Sequence, residues 1–209
     1  MPRRKLESFL IPYHEKSLST VFFDIDSQLD FLYPAGALYV PHAERVVPNI
    51  VRLNHHAAAH GILVVSTSDA HAENDPEFRA WPPHCVAGTL GQHKAEPTLL
   101  ERRIVVPNRP CRLDLGGAQQ IVLEKQHVDA FTAPNVHRIV GTLAADRYVV
   151  YGVVTEICVL FAARGLLKTG KPVVIVTDAV EALNADDSLR ALDEIRAAGG
   201  AMARTAEFC

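Results

Sequence analysis

The sequence predicts an α/β fold: a three-layer α/β/α sandwich in which helices cover both faces of a mostly parallel, Rossmann-like central sheet. Short apolar runs rich in Val and Ile alternate with longer segments that have the apolar spacing of amphipathic helices. This alternation is typical of a parallel sheet with helical crossovers. The 209 residues can bury a substantial core, and we expect a single domain spanning residues 1–209, with residues 1–17 as an N-terminal extension.

The elements are predicted in chain order from the same two periodicities. Buried strands are expected at residues 21–26, 62–68, 121–125, 148–154 and 173–180, and a last strand is allowed for at 201–208. Amphipathic helices are expected at residues 43–60, 134–145, 156–169 and 186–198. Gly61, Gly170 and Gly199 follow three of these helices, where a glycine commonly ends a helix.

Two irregular stretches, residues 69–92 and 106–117, are too long to be simple connections, and they hold many of the Pro and His residues. We expect the first to be functional. The second either covers the site or contacts a neighbouring subunit.

Composition excludes several classes of protein. With 48% hydrophobic and 22% charged residues the chain is neither disordered nor membrane-embedded, and a net charge of −3 gives no reason to expect nucleic acid. The basic cluster at residues 3–5 is interpreted as a solvated tail. No apolar run approaches the ~20 residues that span a bilayer, so we expect a cytoplasmic protein that binds a small molecule and no membrane. Its scattered cysteines, Cys85, Cys111, Cys158 and Cys209, are expected to be reduced.

Cys158 is the candidate nucleophile. The strand at 148–154 runs directly into it, so that Cys158 falls in the first turn of the next helix. Unpaired N–H groups and the helix dipole favour a thiolate at that position. The alternative is a small apolar core residue at a strand–helix junction, since free cysteines are often buried.

Two charged residues at other strand ends could serve a thiol nucleophile. Asp26 closes the first strand and could take the thiol proton and return it to a leaving amine. Lys125 closes another strand, where its cation would keep Asp26 ionised. Asp24 competes with Asp26, because strand alternation turns both to the same side, but Asp24 lies deeper and is suited to a structural hydrogen bond. The alternative for Lys125 is a solvated lysine paired with Glu124.

The loop after the second strand carries candidate metal ligands. Asp69 and His71 come directly after the end of that strand, and Glu77 and His84 follow further along the loop, with Asp75 as the alternative to Glu77. Nitrogen and oxygen ligands together suit one divalent ion, zinc first, with manganese or iron as alternatives.

Two aromatic residues are candidates for the substrate-binding walls. Trp81, the only tryptophan, lies in the same loop and with Phe31 could form flat walls for an aromatic substrate. Ordinary packing beneath the loop is the alternative for both.

Read together, these residues resemble the isochorismatase-like cysteine hydrolases, specifically the nicotinamidase branch. The order and spacing match over nearly the whole chain, on five motifs: Asp26-Ser27-Gln28-Leu29-Asp30-Phe31, Asp69-Ala70-His71, Trp81-Pro82-Pro83-His84-Cys85, Lys125, and Gly152-Val153-Val154-Thr155-Glu156-Ile157-Cys158-Val159.

The resemblance implies a cysteine amidohydrolase that acts on a linear amide and converts nicotinamide to nicotinate and ammonia in pyridine nucleotide salvage. It implies Asp26 as general acid/base, Lys125 as its cationic partner and Cys158 as the nucleophile that forms a thioester. Backbone N–H groups of Val154 and Cys158 would form an oxyanion hole, with a cis peptide between Val153 and Val154.

The resemblance also implies a metal site and a binding site for an aromatic ring. Asp69, His71 and His84 would bind a metal that holds the pyridine nitrogen, and Phe31 and Trp81 would sandwich the ring. The sequence departs from the commonest pattern because no histidine lies between His71 and His84, so Glu77 is taken as the remaining ligand. The family often forms oligomers, and we expect a homo-oligomer.

Three other functions compete with this interpretation. A related cysteine amidase or carbamoyl hydrolase for another small amide would differ only in its pocket. An isochorismatase proper is disfavoured because those enzymes characteristically lack the cysteine. A catalytically silent ligand-binding module is disfavoured because no glycine-rich phosphate loop follows the first strand and three reactive residues stand at strand ends.

Overall fold

The computed structural model describes residues 19–209, whose strands form one seven-stranded sheet. The strands are β1 Thr20–Ile25, β2 Leu63–Asp69, β3 Arg103–Val106, β4 Gln120–Lys125, β5 Arg147–Val153, β6 Val173–Glu181 and β7 Ala201–Ala203. Their order across the sheet is β3-β4-β2-β1-β5-β6-β7, and every neighbouring pair is parallel. The strand order reverses at β1, and in open parallel sheets a crevice for ligands forms at the carboxyl ends beside such a point.

Helices cover both faces of this sheet. They are α1 Leu29–Leu32, α2 Val47–Ala59, α3 Val136–Leu143, α4 Leu160–Leu167 and α5 Ala185–Ala197, and a π-helical turn, Thr155–Val159, leads into α4. One apolar core joins α2 to residues such as Phe22, Val64 and Tyr151 on one face. The other core joins α3, α4 and α5 to the opposite face. The predicted three-layer α/β fold is therefore confirmed.

Two differences from the predicted elements lie at the edges of the sheet. The strand Arg103–Val106 was not predicted, because only Val106 of its four residues is buried and the run is short. The last strand stops at Ala203, and a 3-10 turn occupies Thr205–Glu207. Gly61, Gly170 and Gly199 have positive φ angles of 67°, 73° and 94°, which fits their predicted place after helices.

The stretch 106–117 packs against α3. Asn135 donates hydrogen bonds to the carbonyls of Pro107 and Arg109, and Arg138 donates to that of Cys111. The predicted extension, residues 1–17, and its basic cluster lie outside the described residues. Within 19–209, none of the helices has the length and apolar character needed to cross a membrane. All four cysteines are free.

Candidate active site

Four of the predicted site residues lie at the carboxyl ends of four adjacent strands. Asp69 and Lys125 are the last residues of β2 and β4 and are partners in the parallel register. Asp26 directly follows β1, and Cys158 lies in the π-helical turn that follows β5. Because these strands are neighbours in the order β4-β2-β1-β5, the four side chains converge at one edge of the sheet.

Lys125 is the centre of this group and is completely buried. Its Nζ lies 2.9 Å from Asp26 Oδ2, 2.5 Å from Asp69 Oδ1 and 3.8 Å from Cys158 Sγ. Burial alone would lower the pKa of Lys125, but the two carboxylates outweigh it and raise that pKa well above its usual value. The lysine is therefore a permanent cation beside the thiol and does not pair with Glu124.

Asp26 is held by a second partner besides Lys125. Thr67 Oγ1 donates a 2.6 Å hydrogen bond to Asp26 Oδ1, and the Asp26 backbone N–H donates to the same hydroxyl at 3.2 Å. Burial favours the neutral acid, but Lys125 and Thr67 together outweigh it and lower the pKa of Asp26. Asp26 is thus an ionised carboxylate, which is the state a general base requires.

Asp24 lies in a separate buried network. Its Oδ2 accepts hydrogen bonds from Asn54 and Ser66 and lies 3.4 Å from Lys94 Nζ. The expectation that Asp24 and Asp26 share one side was wrong. Asp26 lies past the end of β1 with a φ of 45°, where strand alternation no longer applies, and it contacts Thr67 rather than Ser66.

Cys158 is buried, with 7% of its surface exposed. Burial raises the pKa of this thiol well above its usual value, and Lys125 opposes the shift without overcoming it. The resting group is therefore a thiol, which differs from the thiolate that its place at a helix start suggests. A nucleophilic role for such a thiol would require a base to remove its proton, and Asp26 lies beside it.

The chain before Cys158 has an unusual backbone. The peptide between Val153 and Val154 is cis, as the resemblance implies. Gly152 has a φ of 115°, and a Cβ at this position would lie 2.0 Å from the Ile25 carbonyl oxygen. Only glycine fits where β5 passes this close to β1.

Three predicted metal ligands lie together. Donor atoms of Asp69, His71 and His84 are all within 4.8 Å of one another, and all three residues are buried. His84 Nδ1 lies 2.8 Å from the Pro82 carbonyl, which can only accept, so the proton is on Nδ1 and Nε2 keeps a free lone pair. Nε2 of His71 has no hydrogen-bond partner within the part of the chain that the structure describes. These features fit a divalent metal ion bound by one carboxylate and two imidazoles.

Asp75 and Glu77, the alternatives for a further ligand, occupy different places. Asp75 Oδ2 lies 3.0 Å from His71 Nδ1, and its Oδ1 accepts from the Glu77 backbone N–H at 2.9 Å. Asp75 is therefore placed to orient the His71 ring from behind. Glu77 lines the same cavity as Asp69 and His84 but is not part of the close cluster. Burial raises the pKa of Glu77, with Asp69 adding to the shift.

A partly open cavity adjoins Cys158. Phe31 and Trp81 line it, as do Asp69, Glu77 and His84. The remaining lining is aliphatic, and only Val153 and Val154 of it were singled out from the sequence: Leu38, Val40, Val128, Val153, Val154, Ile157 and Leu183. Leu183 could not be predicted from its neighbours in the sequence, because only the folded chain brings the β6–α5 loop to the cavity. The cavity is mostly apolar, with a thiol and a cluster of ligand atoms in its wall.

Two buried polar residues fix the loops around the cavity, and both were missed as functional candidates. The Gln28 side chain accepts from the Asp69 N–H at 2.7 Å and donates to the Asp69 carbonyl at 2.8 Å. Asp30 accepts from the backbone N–H groups of Cys85 at 2.7 Å and Ala37 at 2.9 Å. The signal for both was their i+2 and i+4 spacing from Asp26.

Comparison with known proteins gives consistent similarities over most of the chain. Residues 20–101 and 112–207 match the family described as the isochorismatase domain. The nicotinamidase of Escherichia coli strain K12 is 26% identical over 215 residues, covering 88% of this chain and 94% of that protein. The structure of a Pyrococcus horikoshii pyrazinamidase in complex with zinc is 28% identical, with a TM-score of 0.74 over 89% of this chain and 99% of that chain. The structure of Bacillus subtilis nicotinamidase PncA is 25% identical, with a TM-score of 0.77 over 90% of this chain and 100% of that chain.

Proposed function

The chain belongs to the isochorismatase family, and from that premise we propose that it is a cysteine-dependent amidohydrolase of the nicotinamidase type, converting nicotinamide to nicotinate and ammonia. The observation that carries the proposal is the position of Lys125 Nζ, 2.9 Å from Asp26 Oδ2 and 3.8 Å from Cys158 Sγ, beside an apolar cavity with aromatic walls. The similarity to the E. coli nicotinamidase supports the same activity.

In the first half of the proposed reaction, the amide carbon lies against Cys158 Sγ. Asp26 takes the thiol proton as sulfur attacks the carbon, and the electron pair of the C=O bond moves onto oxygen. Backbone N–H groups of Val154 and Cys158 would donate to this oxyanion, and each such donor is worth ~3 kcal/mol in the transition state. Asp26 then passes the proton to nitrogen, the C–N bond breaks and ammonia leaves, giving a thioester.

In the second half, water attacks the thioester carbonyl and Asp26 accepts a proton from that water. The C–S bond breaks, nicotinate is released and the sulfur regains its proton. Lys125 stabilises the departing thiolate and keeps Asp26 ionised between turnovers, because its charge faces both groups. The buried position of all three side chains strengthens these electrostatic contributions.

The lining of the cavity suits a flat ring that carries an amide. Phe31 and Trp81 supply aromatic walls, and Asp69, His71 and His84 supply the metal ligands, with Glu77 proposed as the remaining one. A divalent metal ion bound there, for which zinc is our choice, would act as a Lewis acid that anchors a ring nitrogen. The P. horikoshii relative in complex with zinc supports this choice.

The test is ammonia release from nicotinamide by purified protein, before and after a chelator, with Cys158→Ala as the inactive variant. Cys111→Ala is the matched control, since that cysteine is partly exposed in the 106–117 stretch, away from the cavity. We expect release that is lost in Cys158→Ala and after chelation, restored by zinc, and unchanged in Cys111→Ala.

No release from nicotinamide by the zinc-loaded protein would overturn the proposed substrate. Release from N-carbamoyl compounds or other small amides, still dependent on Cys158, would then identify the related amidase or carbamoyl hydrolase. The homo-oligomer and the cytoplasmic location stay predictions from the sequence.

A further inference from the structure

Thr67 makes two hydrogen bonds to Asp26 that are independent of Lys125. It lies on β2, two residues before Asp69, and is completely buried. Its hydroxyl donates to Asp26 Oδ1 at 2.6 Å and accepts from the Asp26 backbone N–H at 3.2 Å. The Thr67 hydroxyl is therefore hydrogen-bonded to both the carboxylate and the main chain of Asp26, the proposed general base.

These contacts make the two oxygens of Asp26 inequivalent. A hydroxyl has a single proton, and since the Asp26 N–H already donates to Thr67 Oγ1, that proton is directed to Oδ1. Oδ2 instead lies 2.9 Å from Lys125 Nζ, the ammonium that is also 3.8 Å from Cys158 Sγ. Oδ2 therefore shares this ammonium with the thiol, and among the described residues it accepts no hydrogen bond of its own.

We propose that Thr67 is a positioning residue that holds the Asp26 carboxylate so that Oδ2 takes the thiol proton. In the acylation step the S–H bond breaks and an O–H bond forms at Oδ2 while sulfur bonds to the amide carbon. The same proton leaves Oδ2 for nitrogen as the C–N bond breaks, so the step balances. Oδ1 keeps its hydrogen bond from Thr67 throughout. This inference rests on the proposed function.

The backbone of Thr67 is held in place by the buried ion pair of Lys94 and Asp24. Lys94 Nζ donates to the Thr67 carbonyl at 3.0 Å and lies 3.4 Å from Asp24 Oδ2. Ser66, the residue before Thr67, donates to the same Asp24 oxygen at 3.0 Å. The strand is thus fixed on both sides of Thr67, which restricts where its hydroxyl can lie.

The experiment compares Thr67→Val, which keeps the side-chain shape but removes the hydroxyl, with Thr67→Ser, which restores it. Thr98→Val is the matched control, since Thr98 is equally buried and its hydroxyl donates to the Ala95 carbonyl at 2.8 Å, not to Asp26. Two quantities are measured: kcat and KM for ammonia release, and the rate at which iodoacetamide modifies Cys158, followed by mass spectrometry.

We expect Thr67→Val to lower kcat by about ten- to a hundredfold, the factor a hydrogen bond to a charged group is worth, with KM nearly unchanged. Alkylation of Cys158 should slow in the same variant, because alkylation also needs the thiol proton removed. Thr67→Ser should recover most of both rates, and Thr98→Val should match wild type. If Thr67 had only a structural role, kcat and the alkylation rate would fall by similar factors in Thr67→Val and Thr98→Val. In that case kcat would not fall while KM stayed unchanged.

Wild-type kcat and alkylation rate in Thr67→Val would overturn the inference, as would a Thr67→Ser variant as slow as Thr67→Val. If Thr67→Val does not accumulate folded, Thr67→Ala replaces it in the same comparison. Alkylation requires no amide substrate, so it separates the two proposals. A wild type that releases no ammonia, yet shows Thr67-dependent alkylation, would remove the nicotinamidase activity and keep the role of Thr67.

Discussion

The ammonium of Lys125 lies 2.5 Å from Oδ1 of Asp69, so one lysine joins the surroundings of Cys158 to the proposed metal ligands. The other oxygen of Asp69 lies 3.9 Å from His71 Nε2. Burial raises the pKa of Asp69 to about 6, Lys125 opposes the shift, and the charge of Asp26 adds to it. The cation of Lys125 is therefore the main described influence that keeps this ligand ionised.

Replacing Lys125 with Met should destabilise the fold as well as abolish activity. The substitution leaves Asp26 and Asp69 buried with no cation between them, and breaking a buried pair in this way costs about 3–5 kcal/mol. Urea unfolding of the metal-free protein measures the loss. Lys168→Met, at an exposed lysine, is the control and should unfold like wild type. Equal midpoints for all three proteins would contradict the prediction.

Asp75→Asn should weaken metal binding without removing a ligand. The Asp75 carboxylate lies 3.0 Å from His71 Nδ1, and loss of such an outer partner typically costs ~10–100-fold in affinity. Competition with a chromophoric chelator measures the zinc affinity. Glu73→Gln, which removes an exposed charge from the same loop, should leave it unchanged. An unchanged zinc affinity in Asp75→Asn would show that the carboxylate beside His71 Nδ1 does not contribute to metal binding.

The buried pair Asp24–Lys94 should show strong coupling in a double-mutant cycle. Lys94→Met leaves the Asp24 carboxylate buried without its cation and should lower the free energy of unfolding by about 3–5 kcal/mol. Adding Asp24→Asn removes that uncompensated charge and should recover a large part of the loss. Denaturant unfolding of the four proteins gives the coupling. Additive losses would mean that the two groups do not interact.

Asp178 should contribute stability that depends on pH. Burial alone would raise the pKa of Asp178, but the N–H and O–H groups of Thr205 donate to it at 2.7 and 2.9 Å and bring the pKa below its usual value. Because the folded pKa is the lower one, the contribution is present above the unfolded value of about 3.9 and is lost as the pH falls through the folded pKa.

The pH effect is measured as the difference in unfolding free energy between wild type and Asp178→Asn. That difference should be largest near neutral pH and shrink toward pH ~3. Asp193→Asn, at an exposed helical position, is the control. If the difference in unfolding free energy between wild type and Asp178→Asn did not change with pH, the lowered pKa of Asp178 would be contradicted.

The sequence predicted the strand ends because their signals are local. Asp26, Asp69 and Lys125 each interrupt or close an apolar run, and a charge there stands out against the buried strand. The edge strand Arg103–Val106 gave no such signal, since it is short and mostly exposed. A strand is recognised in a sequence when its buried apolar residues differ from the polar residues that flank it. An edge strand that is mostly exposed lacks this difference.

Other features could not be predicted because they arise only when distant segments meet. Thr67 and Asp26 are 41 residues apart, and Lys94 reaches Asp24 from a loop 70 positions later in the numbering. The protonated state of Cys158 also depends on burial by the assembled fold, whereas the helix start is visible in the sequence. A signal for Thr67 did exist, since residues i and i+2 of a strand share a face and Asp69 was already a candidate.

The Asp30 carboxylate has a consequence for any attempt to redesign the cavity. It accepts hydrogen bonds from the segments that carry Leu38 and His84, and a Cβ at Gly91 would lie 2.2 Å from its oxygens. These two segments of the cavity lining thus share one hydrogen-bond acceptor, so a substitution that moves one segment will displace the other. Leu183 is a better position for substitutions that reshape the cavity, because its loop is not held by Asp30. Two backbone N–H groups of that loop donate to the Glu156 carboxylate instead.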